Sequence, residues 1–169
     1  VAEAGQPYRQ LSRDADEKPP GSFRVERKDE LVSITWYYDA KNETRTFDLH
    51  FYLKGVAVAH ADVAEFYYKF VGEGWDRASG RVEVTVQLPG AVPISDMKIW
   101  AHGPLHGSCA IVAAGLARFE VETLPKRTFW EGRVVFPKNY LPAAFLRSAR
   151  VALPKILEEE RAWAEEANR

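Results

Sequence analysis

Little in this 169-residue chain belongs to the usual chemical equipment of an enzyme. A single cysteine, Cys109, excludes an internal disulfide, which removes the common mark of a small secreted scaffold without excluding an exported domain. An excess of one charge is missing too. With 23 basic side chains against 24 acidic ones, the chain has no nucleic-acid footprint, and no nucleic-acid partner is expected. No apolar run approaches the roughly 18 residues of a bilayer-spanning helix, so the chain itself is not expected to cross a membrane. It has no internal repeat, no glycine-rich nucleotide loop and no G-x-S-x-G elbow around any serine. No cofactor is expected. It begins at Val1 without a leader segment, and it reads as a piece of something longer.

What is present is the makings of a core. A hydrophobic content of 46% in a chain of this length is enough for one compact domain. Residues 1–22 read as a polar N-terminal segment, with "LSRDADEKPPGS" (Leu11 to Ser22) as a loop broken by Pro19, Pro20 and Gly21. Short stretches rich in β-branched and aromatic residues follow at Phe23 to Glu26, Leu31 to Tyr38, Thr44 to Leu53 and Val82 to Leu88, and these read as strands. In "LVSITWYY" one face is wholly apolar (Val32, Ile34, Trp36, Tyr38), as in a half-buried strand. The five residues "DAKNE" (Asp39 to Glu43) offer a connection for an antiparallel hairpin with the segment after them. A second hairpin is expected where "CAIV" and "ARFEVETL" flank Ala113 to Leu116, with Gly115 free to take a positive φ. "EGRVVFP" supplies another strand, ended by Pro137. The chain is therefore expected to be mainly β: an antiparallel, immunoglobulin-like sandwich over residues 23–142.

The last segment, residues 143–169, differs. "LPKILEEERAWAEEANR" has helix-forming composition, Pro154 suits a first helical turn, and Ala152, Ile156, Trp163 and Ala167 form one stripe opposite Glu158, Arg161 and Glu165. A C-terminal amphipathic helix is expected, while the state of "AAFLRSARV" before it is left open by the following proline.

Three sets of residues invite a chemical reading. In "KIWAHGPLHGSC", His102, His106 and Cys109 are ligand types for zinc, but Gly103 and Pro104 between the histidines oppose the helix that would stack two imidazoles, so a turn is expected and no metal site. Asp62 and Glu65, with Trp75 and Asp76 downstream, could serve a sugar site, since carboxylates beside aromatic planes suit carbohydrate. The plainer alternative has Asp62 bond the backbone of a turn while Phe66, Tyr67 and Phe70 help fill the core. Cys109 opens an apolar stretch and reads as a packed residue, not a thiolate.

Taken in order, "WYYDAKNETRTFDLHFYLKGVAVAHADVAEFYYKFVGEGWD", "VTVQLPG", "IWAHGPLHG", "LPKRTFWEGRVVFPKNYLP" and "LPKILEEERAWAEEANR" resemble the N-terminal region of the predicted bacterial membrane proteins called domain of unknown function 2207, over Pro7 to Arg169. The resemblance implies a β-sandwich on the extracytoplasmic side of the cell membrane, tied to a membrane segment beyond the C-terminal helix, with an early strand or two preceding Val1. It brings no catalytic residues. Its recurrent positions fall here on Trp36, Asp62, Glu65, Gly72, Trp75, His102, Gly103, Pro104 and Gly107, with Tyr68 standing where a tryptophan is common. The expected function is non-enzymatic recognition or assembly at the cell envelope, with an envelope protein or glycan as partner. Binding candidates are Asp62, Glu65, Trp75, Asp76 and His102. The alternatives are a glycan-binding or hydrolase module on the first four of these, or a purely structural membrane-proximal domain.

Overall fold

The polar N-terminal segment opens with three two-residue strands, Ala2–Glu3 (β1), Gln6–Pro7 (β2) and Arg9–Gln10 (β3), in a computed structural model that describes residues 1–142 and 146–169. The proline-containing loop follows. Ser22–Lys28 (β4) and Leu31–Tyr37 (β5) then pair antiparallel, Lys28 opposite Leu31 and Ser22 opposite Tyr37. Asp29 makes this possible: at φ 54° it occupies the left-handed region, which a short polar side chain tolerates. A two-residue closure also costs less chain entropy than a five-residue one. The hairpin expected across Asp39–Glu43 is thereby displaced, because β5 has already found its partner upstream. The expected strand over Thr44–Leu53 shrinks to Phe47–Asp48 (β6), which pairs with β1. The sheet orders are β2-β1-β6 and β3-β4-β5. Phe47 holds this unit, Val1–Leu53, together: its ring lies 4.8 Å from Tyr38, 5.7 Å from Trp36 and 6.2 Å from Tyr8, centroid to centroid.

Lys54–Arg169 forms a second compact unit. Its strands are Ala57–Ala59 (β7), Ala64–Val71 (β8), Val82–Gln87 (β9), Lys98–His102 (β10), Ser108–Ala113 (β11), Leu116–Val121 (β12), Trp130–Phe136 (β13) and Leu146–Arg147 (β14). The β11–β12 hairpin turns at Gly115, φ 70°, as its sequence implies. β14 lies in the stretch left open by sequence, and residues 143–145 of that stretch are outside the described residues. A five-stranded sheet, β10-β13-β8-β7-β14, faces a three-stranded one, β11-β12-β9. Between them Phe119 and Val121 of β12 meet Phe66 and Phe70 of β8 and Trp130, Val134 and Phe136 of β13 in one core. The protein is thus mainly β, and among the described residues there is one C-terminal α-helix and the strands divide among four sheets.

The helix, Leu153–Ala167 (α1), starts with Pro154 in its first turn and packs on the outer face of the five-stranded sheet, where Ala152 and Ile156 meet Val135 and, at the margin, Val63 and Trp100. β13 is therefore covered on both faces, which explains why "VVF" reads as unbroken apolar sequence. The period of two puts Glu131, Arg133 and Val135 toward the helix side and Trp130, Gly132, Val134 and Phe136 toward the core.

Candidate functional site

The outer face of β8, β13 and β10 carries charge where a sheet face covered by a helix would ordinarily be apolar. Register explains the clustering: Tyr67 and Trp100 lie opposite Arg133 on its two sides, and Lys69 and His102 lie opposite Glu131. Arg133 is buried. Its Nε lies 2.8 Å from Glu65 Oε1, and its NH1 donates to Glu160 Oε1 of α1 at 2.7 Å. Each carboxylate uses its second oxygen on a histidine: Glu65 Oε2 pairs with His60 Nε2 at 2.9 Å, and Glu160 Oε2 with His102 Nε2 at 2.8 Å. The result is a chain, His60, Glu65, Arg133, Glu160, His102, running from the loop before β8 across the sheet and onto the helix. Glu159 adds a third carboxylate to the guanidinium at 3.2 Å. The guanidinium also stacks over the Tyr67 ring at 4.3 Å and lies 5.5 Å from that of Trp163, against which His102 packs edge-on.

The electrostatics follow from this crowding. Burial works against the charge of Arg133, but Glu65 and then Glu160 outweigh it and hold the guanidinium more firmly protonated than usual. Burial, then the hydrogen bond given to Glu131, pushes the Tyr67 phenol well above its ordinary value. The Cys109 thiol is likewise pushed up by burial and stays protonated, which suits packing and not attack.

Asp62 has a different task. Its two carboxylate oxygens accept the N–H groups of Ala152 at 2.8 Å and Leu153 at 3.0 Å, the open amides at the start of α1. Ala152 has no side chain with which to cap its own helix, so the cap comes from 90 residues upstream. Desolvation raises the Asp62 pKa, but the N–H donors of Ala152 and Leu153 together with those of Asp62 and Val63 outweigh it and lower the value. A carboxyl with a lowered folded-state pKa stabilises fully above its unfolded value and loses that contribution as the pH falls through the folded one. Asp62→Ala should therefore cost about 1 kcal/mol near neutrality. In paired urea titrations the gap between the two proteins should keep its full size above the ordinary carboxyl value of 3.8 and narrow below it. An undiminished gap down to about pH 2 would assign the effect to something other than the charged cap.

The remaining candidates separate. Trp75 and Asp76, both exposed, follow the far end of β8 from Asp62, with the whole strand between. The expected turn does link His102, which ends β10, to β11, and it gives the histidines different partners: His106 Nε2 bonds to the Thr123 carbonyl at 2.9 Å. Among the described residues no three His, Cys, Asp or Glu side chains gather as a metal-holding group. Gly103 and Gly107 of that turn lie against the Trp130 indole. A Cβ on Gly103 would come within 2.6 Å of the Phe129 carbonyl oxygen, and one on Gly107 would overlap the indole ring itself.

Sequence reading reached Asp62, Glu65 and His102 but not Arg133, Glu159 or Glu160, which join them. The signal existed. Glu160 falls four residues after Ile156 and three before Trp163, inside the apolar stripe, and Arg133 interrupts an apolar strand. A buried carboxylate and a buried guanidinium each require the other.

A family model described as "Predicted membrane protein (DUF2207) N-terminal domain" matches residues 1–136. The chain belongs to this family. No curated protein and no solved structure matches it. Asp62, Glu65, His102 and Arg133 lie within the matched residues of this membrane-protein family, whereas α1 with Glu159 and Glu160 lies beyond them. Among the described residues no helix is long and apolar enough to cross a membrane.

Proposed function

We propose that the chain is a non-enzymatic, extracytoplasmic domain of a bacterial membrane protein, acting in recognition or assembly at the cell envelope. The observation that supports this best is the engagement of Asp62, Glu65 and His102 in holding α1, through its first amides and through the Arg133 ion pairs. A reaction centre needs groups free to exchange protons or attack, and these are spent on position. For recognition the first unit offers β5, an edge strand whose Leu31 and Val32 are 67% and 52% exposed. Its free backbone groups suit addition of a partner's strand. The two-layer packing of the second unit supports reading it as an immunoglobulin-like sandwich, in which loops and edges do the binding. The same clamp on α1 favours, as a second reading, a purely positional domain beside the membrane.

Two measurements on the full-length protein in its native membrane test this. With Cys109→Ser, no other cysteine, and Ala78→Cys at an exposed position, a membrane-impermeant maleimide should label intact cells as fully as permeabilised ones. Labelling only after permeabilisation overturns the extracytoplasmic placement. A photo-crosslinking residue at the exposed Leu31 should give a discrete adduct in the envelope that Val32→Pro, which removes an N–H directed away from β4, abolishes; no adduct at all would leave the positional reading in its place.

A further inference from the structure

We infer that the cleft between the C-terminal half of α1 and the β10–β11 turn is a binding site for an organic ammonium ion carried on an apolar or aromatic body. The cleft has a volume of about 590 Å³, within the size range of small-molecule sites. Trp100, Leu105, Phe129 and Trp163 supply its apolar walls, and Ala164 and Ala167 of α1 leave it open where longer side chains would close it. Leu105 at its rim is 81% exposed and Trp163 is 39% exposed, so aromatic and aliphatic surface is available from solvent.

The charge of the lining selects the ligand. Glu131 and Glu160 both line the cleft, and among the described residues no lysine or arginine does; Lys69, beside the Phe129 ring, is paired with Glu73. Glu160 is already committed to Arg133 and His102. Glu131 is not: its Oε1 accepts the Tyr67 hydroxyl at 2.5 Å, and the nearest cation-forming group, His102 Nδ1, stands 3.6 Å away, beyond hydrogen-bond reach. His102 Nδ1 is itself buried without a hydrogen bond. An anion entering here would meet two carboxylates. A neutral apolar molecule would strip water from Glu131 and return nothing. An ammonium group would give Glu131 a charge-assisted hydrogen bond while its carbon body packed against the rings of Phe129 and Trp163; those rings already have Lys69 Nζ at 4.9 Å and Arg133 at 5.5 Å, so the carboxylate and not the ring faces makes the choice of a cation. Ammonium recognition here deepens the binding role proposed above and rests on that reading, but its failure would leave the maleimide result untouched.

The test is a titration of the 169-residue chain, followed by indole and amide NMR signals, with phenethylammonium, 2-phenylethanol and 3-phenylpropionate as cationic, neutral and anionic probes of one shape. Saturable shifts centred on Trp163, Trp100 and Phe129 are expected for the ammonium, with affinity roughly tenfold or more above the alcohol and none for the carboxylate. Glu131→Gln, which keeps an acceptor for Tyr67, should erase the preference for the cation over the alcohol. Ala164→Trp, at an exposed helix position, should fill the cleft and abolish binding of every probe, with the fold monitored by circular dichroism. Equal affinity for ammonium and alcohol, an unchanged preference in Glu131→Gln, or shifts that survive Ala164→Trp would each overturn the assignment, as would the absence of saturable binding.

Discussion

Arg133→Met should destabilise the second unit by about 3–5 kcal/mol, since removing one partner leaves the others buried and uncompensated. The guanidinium is the only cation that the described residues place between Glu65, Glu159 and Glu160. Without it Glu65 and Glu160 keep their histidines but face each other's negative charge across an apolar methionine. Urea denaturation measures the loss. Limited proteolysis locates it: trypsin should cut after the exposed Arg161 of α1 much sooner in the variant than in the parent, because the helix is held to the sheet mainly by this charge chain and a small apolar contact around Ile156. Replacing Arg133, Glu65 and Glu160 together with Met, Leu and Leu should recover most of the loss, for a buried ionic cluster repays little beyond its own desolvation. If Arg133→Met stayed within about 1 kcal/mol of the parent, with Arg161 equally protected, the charge chain would not be what holds α1.

That helix also marks how far the sequence could be read. Its stripe, its proline and its apolar contacts follow from local periodicity, and so do β5, β9, β11, β12 and β13. β8 carries the same signal: Ala64, Phe66 and Phe70 alternate with Glu65, Tyr67 and Lys69, a period of two that marks a strand with one face in the core. Tyr67, grouped with the core residues by sequence, faces the helix instead, because it falls on the other side of that alternation. What local pattern does not carry is partnership. β1 pairs with β6 and β7 with β14 across long stretches of chain, and no property of either member names the other. The site shows the same division. Asp62, expected to bond the backbone of a turn, accepts instead the N–H groups of Ala152 and Leu153 at the start of a helix some 90 residues on. A charge in an apolar stripe announces that a partner exists without saying where, and only the register of β8, β13 and β10 brings the partners together.

Trp130→Ala should cost about 3–5 kcal/mol, on the scale of large-to-small changes at a fully buried aromatic, and it should act on the cleft as well as on the core. The side chain is 1% exposed and fills the space beneath the turn that joins β10 to β11. Two glycines of that turn lie against it for different reasons. Gly103, at φ 140°, sits where an L side chain is strained whatever room is available. Gly107 has no such backbone demand, and a Cβ there would overlap the indole while standing 3.2 Å from the Pro104 carbonyl oxygen, so its lack of a side chain answers chiefly to the indole. This separates two explanations of the loss. If the indole and Gly107 are fitted to one another, Gly107→Ala should destabilise the parent by about 1–3 kcal/mol through overpacking but be neutral or stabilising in the Trp130→Ala background, where its methyl enters vacated space. The coupling energy from the four urea curves should then be at least about 1 kcal/mol. Additive losses would mean that the turn stands independently of the indole. In that case Trp130→Ala would lower core stability while the His102–Glu160 pair, and with it the clamp on α1, stayed in place.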